Sequence, residues 1–346
     1  MATKILEGHM KLKLVVAALA TAASLTLAAG AQQLTGAGSS FVYPIYSRWF
    51  AEYSHSHPGV EINYQSVGSG AGIRQVSEKI VDFGATDGPM TDAQLAAAKV
   101  KIIHIPTVLG GVVPTYNIPG VHQDLKFSPD VIADIYLGKI YRWNDPRITK
   151  ENPGIDFPNH TILPVYRSDG SGTTYIWTDF LSKISPEFAS KVGRNTSVRW
   201  PVGIGQKGNE GVAGMVRNTP FSFGYVELIY AVENHMGYGL VRNSAGNWIK
   251  ASTQTVTNAA AGASRDMPAD FRVSITNAPG ADSYPISSFT WLLIPVPMDS
   301  PAKGKVMHDF LEWMLDHGEA EAPSMTYAPL PKSVAMMVRK RLLMVH

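Results

Sequence analysis

The 346-residue chain contains no cysteine. That excludes disulfides, thiolate-bound metals and a cysteine nucleophile, and it does no harm in an oxidising compartment. Neither sign of charge is in excess: 30 Lys and Arg face 28 Asp and Glu, so nothing points to nucleic acid or to an anionic membrane surface. The ten histidines are scattered, His55 and His57 being the nearest pair, and no HExxH or other zinc spacing occurs. Glycine-rich turns are present, but none fits the dinucleotide fingerprint and no Gly-Lys-Ser/Thr follows them. Nucleotide binding is therefore disfavoured. Internal repeats and low-complexity tracts are missing too.

The most apolar stretch lies at the N-terminus and reads as a targeting signal. Met10-Lys11-Leu12-Lys13 is a charged start, Leu14 to Ala28 is apolar, and Ala29-Gly30-Ala31 has the small-x-small cleavage pattern. The stretch is short and Ala/Thr-rich, and it lacks a following stop-transfer cluster, which argues against a transmembrane anchor. We read 10–31 as a signal peptide and 1–9 as a vector-derived or misassigned extension before it. A mature chain starting near Gln32, exported to the periplasm without a lipid anchor, is expected.

What the mature chain does have is a set of anion-friendly turns. Arg167-Ser168-Asp169-Gly170-Ser171-Gly172-Thr173 runs into the apolar Thr174-Tyr175-Ile176-Trp177, which reads as a helix start. A helix N-terminus offers N–H groups and partial positive charge, Ser and Thr add hydroxyls, and Gly lets the backbone approach a ligand. Arg167 adds a planar donor fork that fits phosphate or carboxylate. The same chemistry recurs in Leu34-Thr35-Gly36-Ala37-Gly38-Ser39-Ser40-Phe41 and in Val67-Gly68-Ser69-Gly70-Ala71-Gly72, each followed by a helical period. Any one of these turns is ordinary capping taken alone; three together suggest helix N-termini converging on one anion.

Val81-Asp82-Phe83-Gly84-Ala85-Thr86-Asp87 reads as a short strand ending in a carboxylate, with Thr91 and Gln94 as a capping box for the next helix. Asp87 is either a turn residue or an acceptor facing the anion. A carboxylate repels a fully deprotonated oxyanion but accepts the proton of one that retains O–H. Phosphate keeps a proton near neutral pH and sulfate does not, so Asp87 would select phosphate or arsenate over sulfate.

With these segments in view, the chain resembles the periplasmic phosphate-binding proteins of the high-affinity phosphate ABC importer, from about Gln33 to near the C-terminus. Further matches are Pro106-Thr107-Val108-Leu109-Gly110-Gly111-Val112-Val113, Asp134-Ile135-Tyr136-Leu137-Gly138-Lys139-Ile140, Trp200-Pro201-Val202-Gly203, Gly208-Asn209-Glu210-Gly211-Val212 and Gly224-Tyr225-Val226-Glu227. The resemblance implies that Ser40 and Phe41 supply a hydroxyl and a backbone N–H, that Ser69 contributes from the second loop, and that Asp87 accepts the phosphate proton. It implies that Arg167 pairs with the anion, that Ser171, Gly172 and Thr173 close the cage, and that Asp169 holds and partly neutralises Arg167. Position 40 is often Thr in the family. The family usually has Pro after Phe41, whereas this chain has Val42 and Tyr43 before Pro44, which leaves the start of the first helix open.

Short apolar runs alternate with helical periods, which predicts an α/β fold with largely parallel sheets. Val60 to Tyr64, Lys101 to Ile105, Gly111 to Tyr116 and Ile162 to Tyr166 read as strands. Thr91 to Lys99, Ser128 to Tyr136 and Ser185 to Val192 read as helices. The resemblance implies the two-lobed periplasmic-binding-protein fold, each lobe a mostly parallel sheet flanked by helices, with the ligand cleft between. Crossings near Gly110-Gly111 and Tyr284-Pro285-Ile286-Ser287 divide the chain into lobe I (32–110 and 285–346) and lobe II (111–284). Val306, Phe310, Trp313 and Met314 form a helical stripe expected to pack on lobe I. The partners implied are inorganic phosphate and the permease subunits of an ABC transporter in the inner membrane. No cofactor, metal, nucleic acid or catalysis is expected, and a monomer is. Three alternatives stay open: a secreted phosphate binder without a transporter, a receptor for another oxyanion, and a phosphatase.

Overall fold

A sixteen-residue strand ties the molecule together in the computed structural model, which describes residues 32–263 and 266–346. The strands in chain order are β1 (Gln32–Gly38), β2 (Val60–Ser66), β3 (Phe83–Thr86), β4 (Ile102–Asn117), β5 (Lys126–Phe127), β6 (Leu163–Arg167), β7 (Ile204–Gln206), β8 (Ser222–Glu227), β9 (Gly237–Tyr238), β10 (Leu240–Arg242), β11 (Trp248–Ile249) and β12 (Ser287–Pro295). From Ile102 to Gly111, β4 pairs antiparallel with β12; from Val112 to Asn117 it pairs antiparallel with β8. The two runs predicted as separate strands are thus one strand that changes partner beside Gly110-Gly111.

The main sheet runs β2-β1-β3-β12-β4-β8-β6-β7, with β9 also paired to β4. Pairing is parallel among β2, β1 and β3 in one lobe and among β8, β6 and β7 in the other. Among the described residues its antiparallel ladders all involve β4 or β12. A small second sheet, β11-β10-β5, lies apart. The chain enters β12 past Tyr284, a buried ring whose hydroxyl donates to Val112 O at 2.8 Å.

Local chemistry explains the helix boundaries. Thr91 and Gln94 form the predicted capping box, and Ser128 and Ser185 cap their helices through their hydroxyls. The helix Tyr43–Ser56 has Pro44 in its first turn, where a missing N–H breaks no intrahelical bond. Val42 therefore sits at the N-cap and Tyr43 is the first helical residue, so neither disrupts the helix start.

Each lobe has an aromatic core under its sheet. In the first, Tyr46, Trp49, Phe50 and Tyr53 of the helix Tyr43–Ser56 pack against Phe83 and Phe310, the Phe50 and Phe310 centroids being 5.1 Å apart. Val306, Phe310 and Met314 are buried as the stripe requires, while Trp313 is half-buried with its edge to Tyr53. In the second, Trp177 stacks on Tyr225 at 5.0 Å, with Tyr136, Trp200 and Phe223 around them. Among the described residues no helix is long and apolar enough to cross a membrane. The signal peptide 10–31 and the extension 1–9 lie outside the described residues.

Candidate anion-binding site

The candidate side chains sit at the C-terminal ends of β1, β2, β3, β6 and β7, where ligands of open α/β sheets bind. Ser39 and Ser40 follow β1. Ser69 opens the helix Ser69–Ser77, Asp87 ends the β3 segment, and Arg167 ends β6. Ser171 is the N-cap of the helix Gly172–Ile184, its Oγ accepting the Thr174 N–H at 3.0 Å. Asn209 lies in the first turn of the helix Gly208–Asn218.

On one side stands Asp87, with 1% of its surface exposed. Ser39 Oγ donates to its two carboxylate oxygens at 2.7 and 2.6 Å, Thr290 Oγ1 donates at 2.9 Å, and Ser69 Oγ donates at 3.4 Å. Thr290 comes from the middle of β12, beside the bulge that shifts the β4 register at Thr290 and Trp291. Burial pushes the Asp87 carboxyl up to about 6, against the opposing pull of these hydroxyls and of Arg167. The loop after it is pinned. His104 Nε2 accepts the Met90 N–H at 3.1 Å and Arg272 donates to Met90 O at 2.9 Å. Burial pushes His104 down to about 3, so it serves there as a neutral acceptor.

On the other side stands Arg167, with 4% of its surface exposed. Its Nε and Nη2 donate to the two Asp169 oxygens at 2.8 and 2.6 Å, and its Nη1 reaches Thr173 Oγ1 at 3.3 Å. Burial pushes the Asp169 carboxyl up, but the Arg167 fork and the Gly208 N–H at 3.1 Å outweigh it, and the net shift is downward. Asp169 is thus an ionised counter-charge that occupies one edge of the guanidinium and leaves Nη1 turned toward Thr173.

The two sides touch. A Cβ on Gly172 would overlap Asp87 Oδ2 and Ser69 Oγ, so only glycine lets the 172 helix start approach the carboxylate. The Gly70 N–H donates to Gly170 O at 2.9 Å. The Asn209 N–H and Nδ2 donate to Ser40 Oγ at 3.1 and 3.0 Å, and Tyr230 OH donates to Ser40 O at 2.5 Å. Segments on either side of the cleft are hydrogen-bonded to each other around the site.

Of the residues singled out from sequence, Ser69, Asp87 and Gly172 form one contact group, and Ser40, Arg167 and Thr173 form another linked through Asn209. Phe41 has its N–H engaged within its own turn. Its N–H donates to Ser39 Oγ at 3.0 Å, and its ring is buried near Tyr327. The Ser171 N–H likewise donates to Thr196 O at 2.7 Å, so what Ser171 keeps free is its hydroxyl proton. Sequence reasoning missed Ser39, Thr290 and Asn209. Ser39 and Asn209 lie inside segments already singled out, whereas Thr290 shows only as one of three hydroxyls, with Ser287 and Ser288, in a buried strand.

The chain matches the family model for the PBP superfamily domain over residues 23–317. It is 41% identical over 317 residues to the phosphate-binding protein PstS of Pasteurella multocida, covering 91% of each chain. It is 40% identical to the phosphate-binding protein PstS of Haemophilus influenzae, over 90% of this chain and 93% of the relative. The crystal structure of the phosphate-binding protein of Stenotrophomonas maltophilia superposes with a TM-score of 0.68 at 19% identity, over 90% of this chain and 94% of that one, a likeness of fold. Family model and sequence identity agree: the chain belongs to the PBP superfamily and, within it, to the family of the phosphate-binding protein PstS.

Proposed function

We propose that this protein captures inorganic phosphate in the periplasm, as a monomer, and delivers it to the permease of an ABC importer without altering it chemically. The observation that carries the reading is the pairing of opposites across the site. A buried carboxylate held only by hydroxyls, Asp87, faces a buried guanidinium, Arg167, and two helix N-termini. An oxyanion that retains a proton satisfies both sides, since its O–H donates to Asp87 while its bare oxygens accept from the donors. Sulfate satisfies only one. In this reading Ser40, Ser69, Ser171, Gly172 and Thr173 complete the cage, the Phe41 N–H exchanges Ser39 Oγ for an oxygen of the anion, and Asp169 holds Arg167.

Lobe I (32–110 and 285–346) and lobe II (111–284) close on the ligand by rotation about β4 and the approach to β12. The change of β4 partner between Gly111 and Val112 supports this division. A Cβ on Gly110 would press on the Phe41 ring and Glu227, so this position in the strand must be glycine for the lobes to pack. Periplasmic delivery is supported by the leader at 10–31 and by the family. Calorimetric titration of the mature protein with phosphate, arsenate and sulfate, at several pH values, tests the reading. One phosphate bound per chain, arsenate close behind and sulfate rejected are expected, with no phosphatase turnover. Silence toward phosphate, or steady turnover of phosphate esters, overturns it.

A further inference from the structure

Asn209 is fully buried between the two sides of the site, and every hydrogen-bonding atom it has there is committed. Its Oδ1 accepts the Glu227 N–H at 3.0 Å. A backbone N–H only donates, so this bond fixes the amide orientation and turns Nδ2 the other way. Nδ2 donates to Ser40 Oγ at 3.0 Å and to Thr173 Oγ1 at 3.0 Å, and the Asn209 N–H donates to Ser40 Oγ at 3.1 Å.

The consequence falls on the two hydroxyls. A hydroxyl oxygen has two lone pairs and one proton. Ser40 Oγ receives two donors, both from Asn209, and neither can accept in return. Thr173 Oγ1 also receives two, Asn209 Nδ2 and Arg167 Nη1, and a guanidinium never accepts. With both lone pairs occupied, each hydroxyl can only donate. Ser39 is the counter-example: its proton goes to Asp87 and its oxygen takes the Phe41 N–H, so it has no proton left for a ligand.

Resting on the phosphate-binding reading, we infer that Asn209 is a positioning residue that converts Ser40 and Thr173 into obligate donors to the bare oxygens of the bound anion. One amide thereby sets the polarity of hydroxyls on both sides of the cleft. It also makes the donor side of the site complementary to Asp87, because neither of these two hydroxyls can turn round to accept the ligand's proton. The proton of a monoprotonated oxyanion is left with the carboxylate as its acceptor.

The test is a double-mutant cycle on phosphate affinity, by calorimetry, with Asn209→Ala, Thr173→Val and their combination. Thr173 lies on the same lobe as Asn209, so this coupling reports hydroxyl orientation rather than cleft closure. Asn209→Ala is expected to weaken phosphate about 10- to 100-fold, the usual range for leaving buried polar groups wrongly paired. In the Thr173→Val background its penalty should shrink by about threefold or more, as coupled neighbours do. Equal penalties in the two backgrounds overturn the inference and leave Asn209 a packing residue. Asn209→Asp keeps the size and the acceptor for the Glu227 N–H, and so carries the same cycle should the Ala variant not fold. Its second oxygen draws both hydroxyl protons inward, and a larger loss than with Ala is expected; native-like affinity in Asn209→Asp overturns the inference. A native chain that binds no phosphate removes the functional reading itself, whereas a native chain that binds with additive penalties removes only the role of Asn209.

Discussion

Asp87 and Asp169 line the same small site and are driven in opposite directions. Asp169 is gripped by the Arg167 fork and ionises more readily than a free carboxyl. Asp87 is more deeply buried, is held by three hydroxyls and has Arg167 only as a distant charge, so its proton affinity rises instead. Neutral donors solvate a buried carboxylate less well than a guanidinium does. The pair shows how one residue type is divided into a counter-ion and an acceptor with appetite for a proton. On the proposed reading it also explains why an anion can bind beside two carboxylates: one is already cancelled, and the other would meet the ligand where the ligand carries hydrogen.

The largest test of that division is removal of the cation both depend on. Arg167→Ala should weaken phosphate by roughly 2–5 kcal/mol, the cost of truncating one partner of a buried charged contact. Arg167→Lys should recover only part, because the ammonium cannot bond both Asp169 oxygens and Thr173 from one plane. Titration calorimetry reads both; an unchanged affinity in Arg167→Ala would remove the guanidinium from the site.

Next in size is a pH effect on the ligand-free protein. The native-state value of Asp87 lies near 6, above its ordinary 3.8, so the folded state favours the protonated carboxyl. The stability this supplies is full below the ordinary value and is lost as pH rises through about 6. The span amounts to about 3 kcal/mol. Asp87→Asn lacks the titration, so its melting temperature should gain on the native protein between pH 4 and pH 7 in phosphate-free buffer. Parallel curves for the two proteins would mean that Asp87 is not held at a raised value.

Much of this is legible in the sequence. Runs such as Arg167 to Thr173 announce themselves because Gly, Ser and Arg at a helix start have few other joint uses, and the Thr91–Gln94 box is fully local. Gly110-Gly111 drew notice in the sequence, but not that β4 continues through it and changes partner there, because glycine in a strand reads as a break when the partner strands are unknown. Thr290 escaped for a related reason. It meets Asp87 only because β12, some two hundred residues later, lies between β3 and β4. Ser39 and Ser40 are adjacent and chemically identical, yet one serves Asp87 and the other faces Asn209. Which way each points depends on the φ/ψ of a single turn, and residue types do not encode that.

The acceptor role itself is tested by selectivity. Asp87→Asn preserves shape and offers an NH2 to a bare oxygen, so sulfate should gain on phosphate by roughly 1–3 kcal/mol, the cost of mispairing one buried polar group. Affinities for both anions, measured at one pH and salt, decide it. If discrimination survives intact while the melting temperature falls, Asp87 is a structural cap and the contrast with Asp169 has no functional content.

The smallest effect is expected at Asp169, and it is the one that separates a counter-ion from a ligand-contacting group. Asp169→Asn keeps an oxygen for Arg167 Nε and for the Gly208 N–H, while the second contact, at Nη2, is lost. Two consequences for phosphate oppose each other. The guanidinium is less firmly aimed, which weakens binding, but its charge is no longer offset, which strengthens attraction for the anion. We expect phosphate affinity to move by less than about 1 kcal/mol, the net of two terms of similar size. The ligand-free protein has no such compensation, because Arg167 is left buried without its carboxylate. Its melting temperature should fall, and saturating phosphate should restore part of the loss by supplying the missing negative charge. Thermal melts with and without phosphate, beside calorimetry, distinguish the cases. A loss of affinity matching that of Arg167→Ala would show that Asp169 acts on the anion directly, and the two aspartates would then no longer differ in kind.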